Sequence, residues 1–269
     1  MKKSVRLCGS AAWVVLFFAT VGCEQRKDMV EKASDQQHLV GDSTTYFQND
    51  PKYIHPDTTY VPGDYPLAEV GNARAVYYTL RQELERAVVD PTALVSLPSG
   101  EIAWTSFKDG GKSVLGYFRN YFGVVRLTSK GITEATLVID VNSLDSAIPG
   151  RNNRILNFFF ESMKPEFGTA ELKLTQFRMK EGSLKQAEGG KEQAVEASGT
   201  LTLNGVTKEI TTSLALVKQG KTWSITTRVP LTLLISDYAF GARVFTLMKE
   251  CNHRSLGNLV KVNAKLFFR

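Results

Sequence analysis

The stretch Leu201–Ile210, LTLNGVTKEI, constrains the fold of this chain more than any other. Upstream, Val195, Ala197, Gly199, Leu201 and Leu203 alternate with Glu196, Ser198, Thr200 and Thr202. Downstream, Ile210, Thr212, Leu214 and Leu216 alternate with Thr211, Ser213, Ala215 and Val217. A two-residue period places each set on one face of a strand. Between the runs stands Asn204-Gly205, a pair that accepts the positive φ angles of a type I′ turn. The segment predicts an antiparallel hairpin.

The same rhythm runs through most of the chain after Pro98. Ile102–Phe107 reads as a strand, turned by Asp109-Gly110-Gly111. Val114, Gly116 and Phe118 open the next, which resumes at Gly123 with Val125 and Leu127. Lys130-Gly131 then turns into Ala135, Leu137, Ile139 and Val141. Ala170, Leu172 and Leu174 precede the hairpin; Trp223–Leu231 and a last run of Val260, Val262, Ala264, Leu266 and Phe268 follow it. That makes eight strands, with one strong helical interruption at Arg151–Met163. Eight alternating strands with short connections form either a sandwich or a closed barrel, and pattern alone does not choose.

The residues before this region divide into three. Residues 1–22 read as a signal peptide, with Lys2, Lys3 and Arg6 ahead of an apolar core, Ala11–Phe18, only about half as long as a membrane span requires. Thr20-Val21-Gly22-Cys23 reads as a lipobox with threonine where leucine is usual, so Cys23 is the expected lipidation site. Cys8 lies within the signal, so only Cys251 would remain and the mature chain could form no internal disulfide. Residues 23–66 read as a flexible tether, poor in large aliphatics and holding four of the nine prolines. Residues 67–98 form a helical extension. Val70, Ala73, Val76, Tyr77, Leu80, Leu84 and Ala87 take one face, Arg74, Arg81, Glu83, Glu85 and Arg86 the other, and Pro91 ends the run. Its expected place is the outside of the β-domain, residues 99–269.

Charge excludes one class of partner. The formal net charge of +6 includes the three basic residues of the signal, which leaves +3, with acidic and basic residues interspersed. No basic block offers a phosphate-tracking stripe, so nucleic acid is not an expected partner.

Catalytic constellations are sparse. His38 and His55 fall in the tether, leaving His253 alone in the β-domain, and no G-x-S-x-G turn supplies a nucleophile. Cys251-x-His253 is two ligands where zinc needs three or four. Asp140, Asp145 and Asp237 read as turn caps, and Gly189-Gly190-Lys191 lacks the strand that a phosphate loop requires. No metal, cofactor or covalent chemistry is expected. Instead, apolar side chains line up: Phe118, Leu137, Ile139, Leu172, Leu201, Leu203, Leu214, Trp223 and Ile225 share the inward faces. Such a set is either a packed core or the wall of a cavity, since eight strands suit both.

Four segments together resemble one family. LTLNGVTKEI is similar to the LTIxGVTKxV signature of the YceI-like, lipocalin-like periplasmic proteins. Gly116–Gly123 resembles that family's GxFxxFxG, Val141–Ser146 its SIDT segment, and Arg151–Phe160 its R-D-x-x-L…FF helix. The resemblance spans roughly residues 99–269. It implies an all-β, eight-stranded antiparallel up-and-down barrel, the tether and the extra N-terminal helix preceding it. It further implies that the interior holds a long polyisoprenoid or related lipid chain, an isoprenoid quinone or polyprenyl lipid, under a lid helix at Arg151–Met163. Ile155, Phe159 and Phe160 would then join the inward strand residues as ligand contacts. The chain departs from the family around that lid. Asn152 and Arg154 stand where Asp and His are usual, Pro165–Ala170 replaces P-T-A-x-F, and Ser236–Gly241 is longer than S-D-F-G.

The expected function is non-enzymatic binding or transport of such a chain in the bacterial envelope, on a protein held by its lipid anchor, with the outer membrane the expected location. Two rivals stay open: a filled barrel serving as a structural or protein-binding envelope module, and an enzyme dependent on a bound quinone or lipid.

Overall fold

The computed structural model describes residues 46–48, 67–129, 131–179 and 184–269. The signal segment, Cys23 and most of the tether lie outside the described residues. The elements in chain order are β1 (Tyr46–Gln48), α1 (Leu67–Ala87), β2 (Ala93–Val95), β3 (Glu101–Lys108), β4 (Lys112–Phe118), β5 (Tyr121–Thr128), β6 (Gly131–Asp140) and β7 (Leu144–Asp145). There follow α2 (Pro149–Arg154), a π-helical turn (Ile155–Phe160), β8 (Thr169–Met179), α3 (Leu184–Glu188), β9 (Gln193–Leu203) and β10 (Val206–Gln219). The chain closes with β11 (Thr222–Thr227), β12 (Leu231–Leu234), α4 (Gly241–Glu250), β13 (Ser255–Gly257) and β14 (Leu259–Phe268).

Every strand pairing is antiparallel. β3 pairs with β14 and β14 with β11, and the ladder continues through β10, β9, β8 and β6 to β5. β4 and β5 are two halves of one bent strand, and β4 pairs back onto β3, so the ladder returns to its start. β2 stitches this seam. It pairs with β5 on one side, while Val95 exchanges hydrogen bonds with Arg269 (3.0 and 3.1 Å) and Leu97 N–H donates to Phe267 O (2.7 Å) on the other. The ring members are the eight strands expected from the sequence. The sheet has fourteen because β4/β5 and β11/β12 are interrupted and four short strands are added at the margins.

The hairpin joins β9 and β10 in the expected register, with Val206 opposite Leu203 and Leu214 opposite Val195. Asn204 (φ 55°) and Gly205 (φ 72°) both hold the left-handed angles of a type I′ turn. Besides the lid, two helices among the strands were not expected, the short α3 and the longer α4. Its Val244, Leu247 and Met248 follow the i, i+3, i+4 spacing that buries one helical face, but the segment is short and opens on glycine without a side-chain cap. The lid helix is shorter than expected. It ends at Phe160 because Glu161 turns left-handed (φ 50°).

α1 lies against the outer face of the barrel, where Tyr77 forms a second small core with Phe122, Val124 and Val138. β5 and β6 are thus apolar on both faces. A buried polar chain fixes the helix. Tyr77 Oη donates to Asn120 Oδ1 (3.1 Å), Asn120 Nδ2 donates to Asp140 Oδ2 (3.3 Å), and Arg74 Nε lies 3.5 Å from the same carboxylate. Asp140 also caps the turn at Val141–Ser143 by accepting from Asn142 N–H (3.0 Å). Burial pushes the Asp140 carboxyl up, against the opposing pull of Asn120 and Arg74.

A Cβ on Gly205 would meet only Phe167 Cε1 at 3.7 Å, so backbone strain rather than crowding governs substitution there. Gly205→Val is expected to cost about 1–3 kcal/mol. An unchanged midpoint in denaturant unfolding would refute the strain argument.

Candidate functional site

The barrel interior holds a cavity of about 250 Å3. It is larger than the ~150 Å3 engineered cavity that stays dry and binds benzene. Each ring strand contributes alternate residues to its wall, which contains no charged side chain. Phe118, Leu137, Ile139, Leu172, Leu201, Leu203, Leu214 and Ile225 line it from the strands, and Ile155, Phe159 and Phe160 from the π-helical turn. Leu234 on β12 is the exposed member of the wall at 39%. The cavity therefore approaches solvent beside β12.

Trp223 does not line the cavity. It points inward, as its alternation with Ile225 requires, and is 4% exposed. It lies nearer the opposite end, paired in register with Lys218 and Phe268, and the Lys218 ammonium sits 5.1 Å above its ring. Periodicity assigns a side chain to a face but says nothing about its depth along the barrel.

An aromatic cluster roofs the cavity. Phe159 stacks on Phe240 (ring centroids 4.2 Å apart, planes 9° apart), and Phe160 meets Phe159, Phe240 and Phe118 edge-on at 5.0, 5.6 and 6.4 Å. Phe240 belongs to the segment between β12 and α4, where the chain is longer than the family pattern. That segment also supplies Ile235 and Tyr238 to the wall, and α4 supplies Leu247. These residues were missed because the seventh strand was expected to end at Leu231 and no helix was expected after it. The apolar spacing of Phe240, Val244, Leu247 and Met248 was the available signal.

Arg243 of α4 fastens the roof. Its guanidinium donates to Phe159 O (3.3 Å) and Phe160 O (2.9 Å), and to Asn204 Oδ1 (2.6 Å) in the hairpin turn. Asn204 Nδ2 in turn donates to Tyr238 O (2.7 Å). The guanidinium lies 4.5 Å from the Phe167 ring centroid and 5.2 Å from that of Phe240, with Glu161 Oε2 3.9 Å away. A π-helical turn breaks the ordinary i to i−4 bonding, and Arg243 satisfies two of its carbonyls.

Beside the lid, His253 Nδ1 lies 3.0 Å from Asp109 Oδ2, and Lys108 Nζ lies 3.4 Å from its Nε2. Burial and Lys108 lower the imidazole pKa despite Asp109. The neutral ring bridges the β3–β4 turn and the loop before β13. Burial pushes the Cys251 thiol up, away from nucleophilic thiolate. Among the described residues no three His, Cys, Asp or Glu side chains converge as a metal site. Asn152, at the departure from the family's Asp, accepts from Ser146 N–H (2.8 Å) and Ser146 Oγ (2.6 Å), pinning α2 to the preceding loop. Asp145 accepts from Ala147 N–H and Arg119, a turn cap as expected.

Among the described residues, four side-chain polar atoms are buried without a hydrogen-bond partner: Arg74 Nε, Thr169 Oγ1, Trp104 Nε1 and Thr212 Oγ1. The residues of the last two line the cavity. Leaving such a group unsatisfied costs about 1–3 kcal/mol.

The closed antiparallel ring, apolar interior and lid define a lipocalin-like barrel. The YceI-like domain profile matches residues 99–268, and the chain belongs to that family. Among solved structures, a polyisoprenoid-binding domain from Saccharophagus degradans, implicated in plant cell wall breakdown, is 24% identical. The match covers 66% of this chain and 98% of that one, with a TM-score of 0.56. BcnA of Burkholderia cenocepacia is 15% identical, covering 62% of this chain and 95% of that one, with a TM-score of 0.51. At these identities the likeness is one of fold. No curated protein matches the chain.

Arg243→Met keeps the apolar stem and strands two lid carbonyls and the Asn204 amide oxygen. The side chain is 15% exposed, so the expected loss is about 2–4 kcal/mol, with faster amide exchange in the lid than in the sheet. A stability change below about 0.5 kcal/mol, the usual scatter for surface substitutions, would show that the lid is held otherwise.

Proposed function

We propose that this protein binds and carries an apolar lipid chain of isoprenoid type inside its barrel, in the bacterial cell envelope, without covalent chemistry on it. The observation that carries this reading is the uncharged cavity under a fastened aromatic roof. A polar substrate would find no charge to meet its own, whereas a hydrocarbon chain gains by area. Burying about 300 Å2 of chain at roughly 25 cal/mol/Å2 contributes about 7 kcal/mol before association costs. The ligand named for the Saccharophagus degradans domain supports the same chemical class.

Organic extraction of purified protein followed by mass spectrometry is expected to release a stoichiometric lipid. Ile225, between Leu216 and Leu266 in register, lines the cavity and offers the mutational test. In a packed core Ile225→Trp would cost roughly 1–3 kcal/mol by overpacking. In a carrier the lipid-free protein keeps or gains stability and loses bound lipid. If Leu137→Trp, Leu203→Trp and Ile225→Trp all destabilise the lipid-free protein, the barrel is filled and serves a structural or partner-binding role.

The proposal includes attachment to the membrane through acyl chains on Cys23, as its lipobox suggests. Among the described residues no helix is long and apolar enough to cross a membrane, a statement that does not bear on strands. Several chains at about 0.8 kcal/mol per buried CH2 hold a protein stably. Cys23→Ala is expected to move the protein into the soluble envelope fraction, and a wild-type protein already soluble and free of lipid mass would end the anchor reading.

A further inference from the structure

α1 precedes the domain that the family shares, residues 99–268, yet it does more than cover one sector of the barrel. It rests on the segment by which the chain leaves the lid. That segment starts at Glu161, whose left-handed φ of 50° ends the π-helical turn, and runs through Ser162 and the turn at Pro165–Phe167 to Gly168. Ala73 and Ser162 are wholly buried, and a Cβ on Gly168 would stand 2.7 Å from Ala73 O and 3.2 Å from Ser162 O. The backbone at Gly168 is right-handed (φ −73°), so this glycine answers to the close approach of α1 and not to a strained turn.

Side chains tie the same parts together. Asp140 is 1% exposed, and its partners on α1 are Arg74 and, through Asn120, Tyr77. Its carboxylate accepts from Asn142 N–H, and Asn142 in turn grips Ser162. Ser162 Oγ donates to Asn142 Oδ1 (2.7 Å), and Asn142 Nδ2 donates to Ser162 O (3.4 Å). Ser162 N–H closes the lid by donating to Leu156 O (3.0 Å), while Val141 N–H donates to Gly168 O (3.0 Å). On the far side of the segment the Phe167 ring lies under the Arg243 guanidinium that bonds the lid carbonyls. The exit of the lid is thus clamped between α1 and α4. Swinging Phe159 and Phe160 off the cavity drags this exit, and the motion meets Ala73. We propose that α1 is the latch of the lid: the lid opens only as α1 lifts from Gly168, so residues 67–87 set the rate of access to the cavity. The latch is a property of the protein alone, and rests on the carrier reading only for what passes through it.

Amide hydrogen exchange on delipidated full-length protein tests the latch. Gly168→Ala and Ala73→Leu wedge the contact from its two sides, and leucine keeps the helix propensity of α1. Each is expected to speed exchange at Ile155–Phe160 at least tenfold relative to β9, together with exchange at Ala73–Tyr77. Glu83→Ala, on the exposed face of α1, should change neither. Coupling between two sites is reciprocal, so Arg243→Met, made across the segment, should speed exchange in α1 as well. Wedge variants that loosen α1 but leave Ile155–Phe160 at the wild-type rate would overturn the latch. So would an Arg243→Met protein whose lid opens with α1 unchanged. If Ala73→Leu does not fold, Gly168→Ala decides by the same readout. The fluorescent probe N-phenyl-1-naphthylamine separates gate from carrier. Both wedges should raise its rate of entry several-fold and leave its equilibrium affinity unchanged, whereas an unchanged entry rate would overturn the gate. A wild-type protein that fails to bind the probe counts against the carrier reading, and the exchange rates still decide the latch.

Discussion

Closure is the constraint on which the rest of this molecule depends. A row of antiparallel strands leaves unpaired N–H and C=O groups along both edges, and a barrel removes them only if its first and last strands meet. Here the meeting is arranged by one bent strand, β4/β5, which pairs with β3 through its first half and with β6 through its second. β2, from before the ring, fills the seam between β5 and the end of β14. Once the ring is shut, alternation along every strand divides residues into an inner and an outer set. The inner set is too sparse to fill the middle, and the cavity follows from that geometry. So does the need for a roof.

The roof shows how a site can depend on residues that are far apart in the chain. The π-helical turn brings Phe159 and Phe160 over the cavity but leaves carbonyls that the turn itself does not satisfy. Arg243, from a helix some eighty residues later, satisfies them and reaches the hairpin turn with the same guanidinium. Asn204 thus has two tasks. Its backbone makes the type I′ turn, and its amide joins that turn to α4 and Tyr238.

Much of the ring was legible in the sequence because strand periodicity is local. Val195–Leu203 and Ile210–Leu216 announce both their faces and their turn, and eleven of the twelve expected ligand contacts fall on the cavity wall. What was not legible is what periodicity cannot encode. Trp223 shares a face with Ile225 but differs in depth. The contribution of Tyr238, Phe240 and Leu247 depends on a helix packed by tertiary contact, whose short sequence is an ambiguous signal by itself.

The outer helix has a mechanical consequence. In β5 and β6 one face packs into the barrel and the other under α1, where Phe122, Val124 and Val138 are as deeply covered as Val125 and Leu137. Across the ring, β10 turns Lys208, Glu209 and Thr211 toward solvent. Local opening is cheapest where the fewest buried contacts must separate. The sector under α1 therefore has buried contacts to break on two faces, and the exposed stretch of β10 on one.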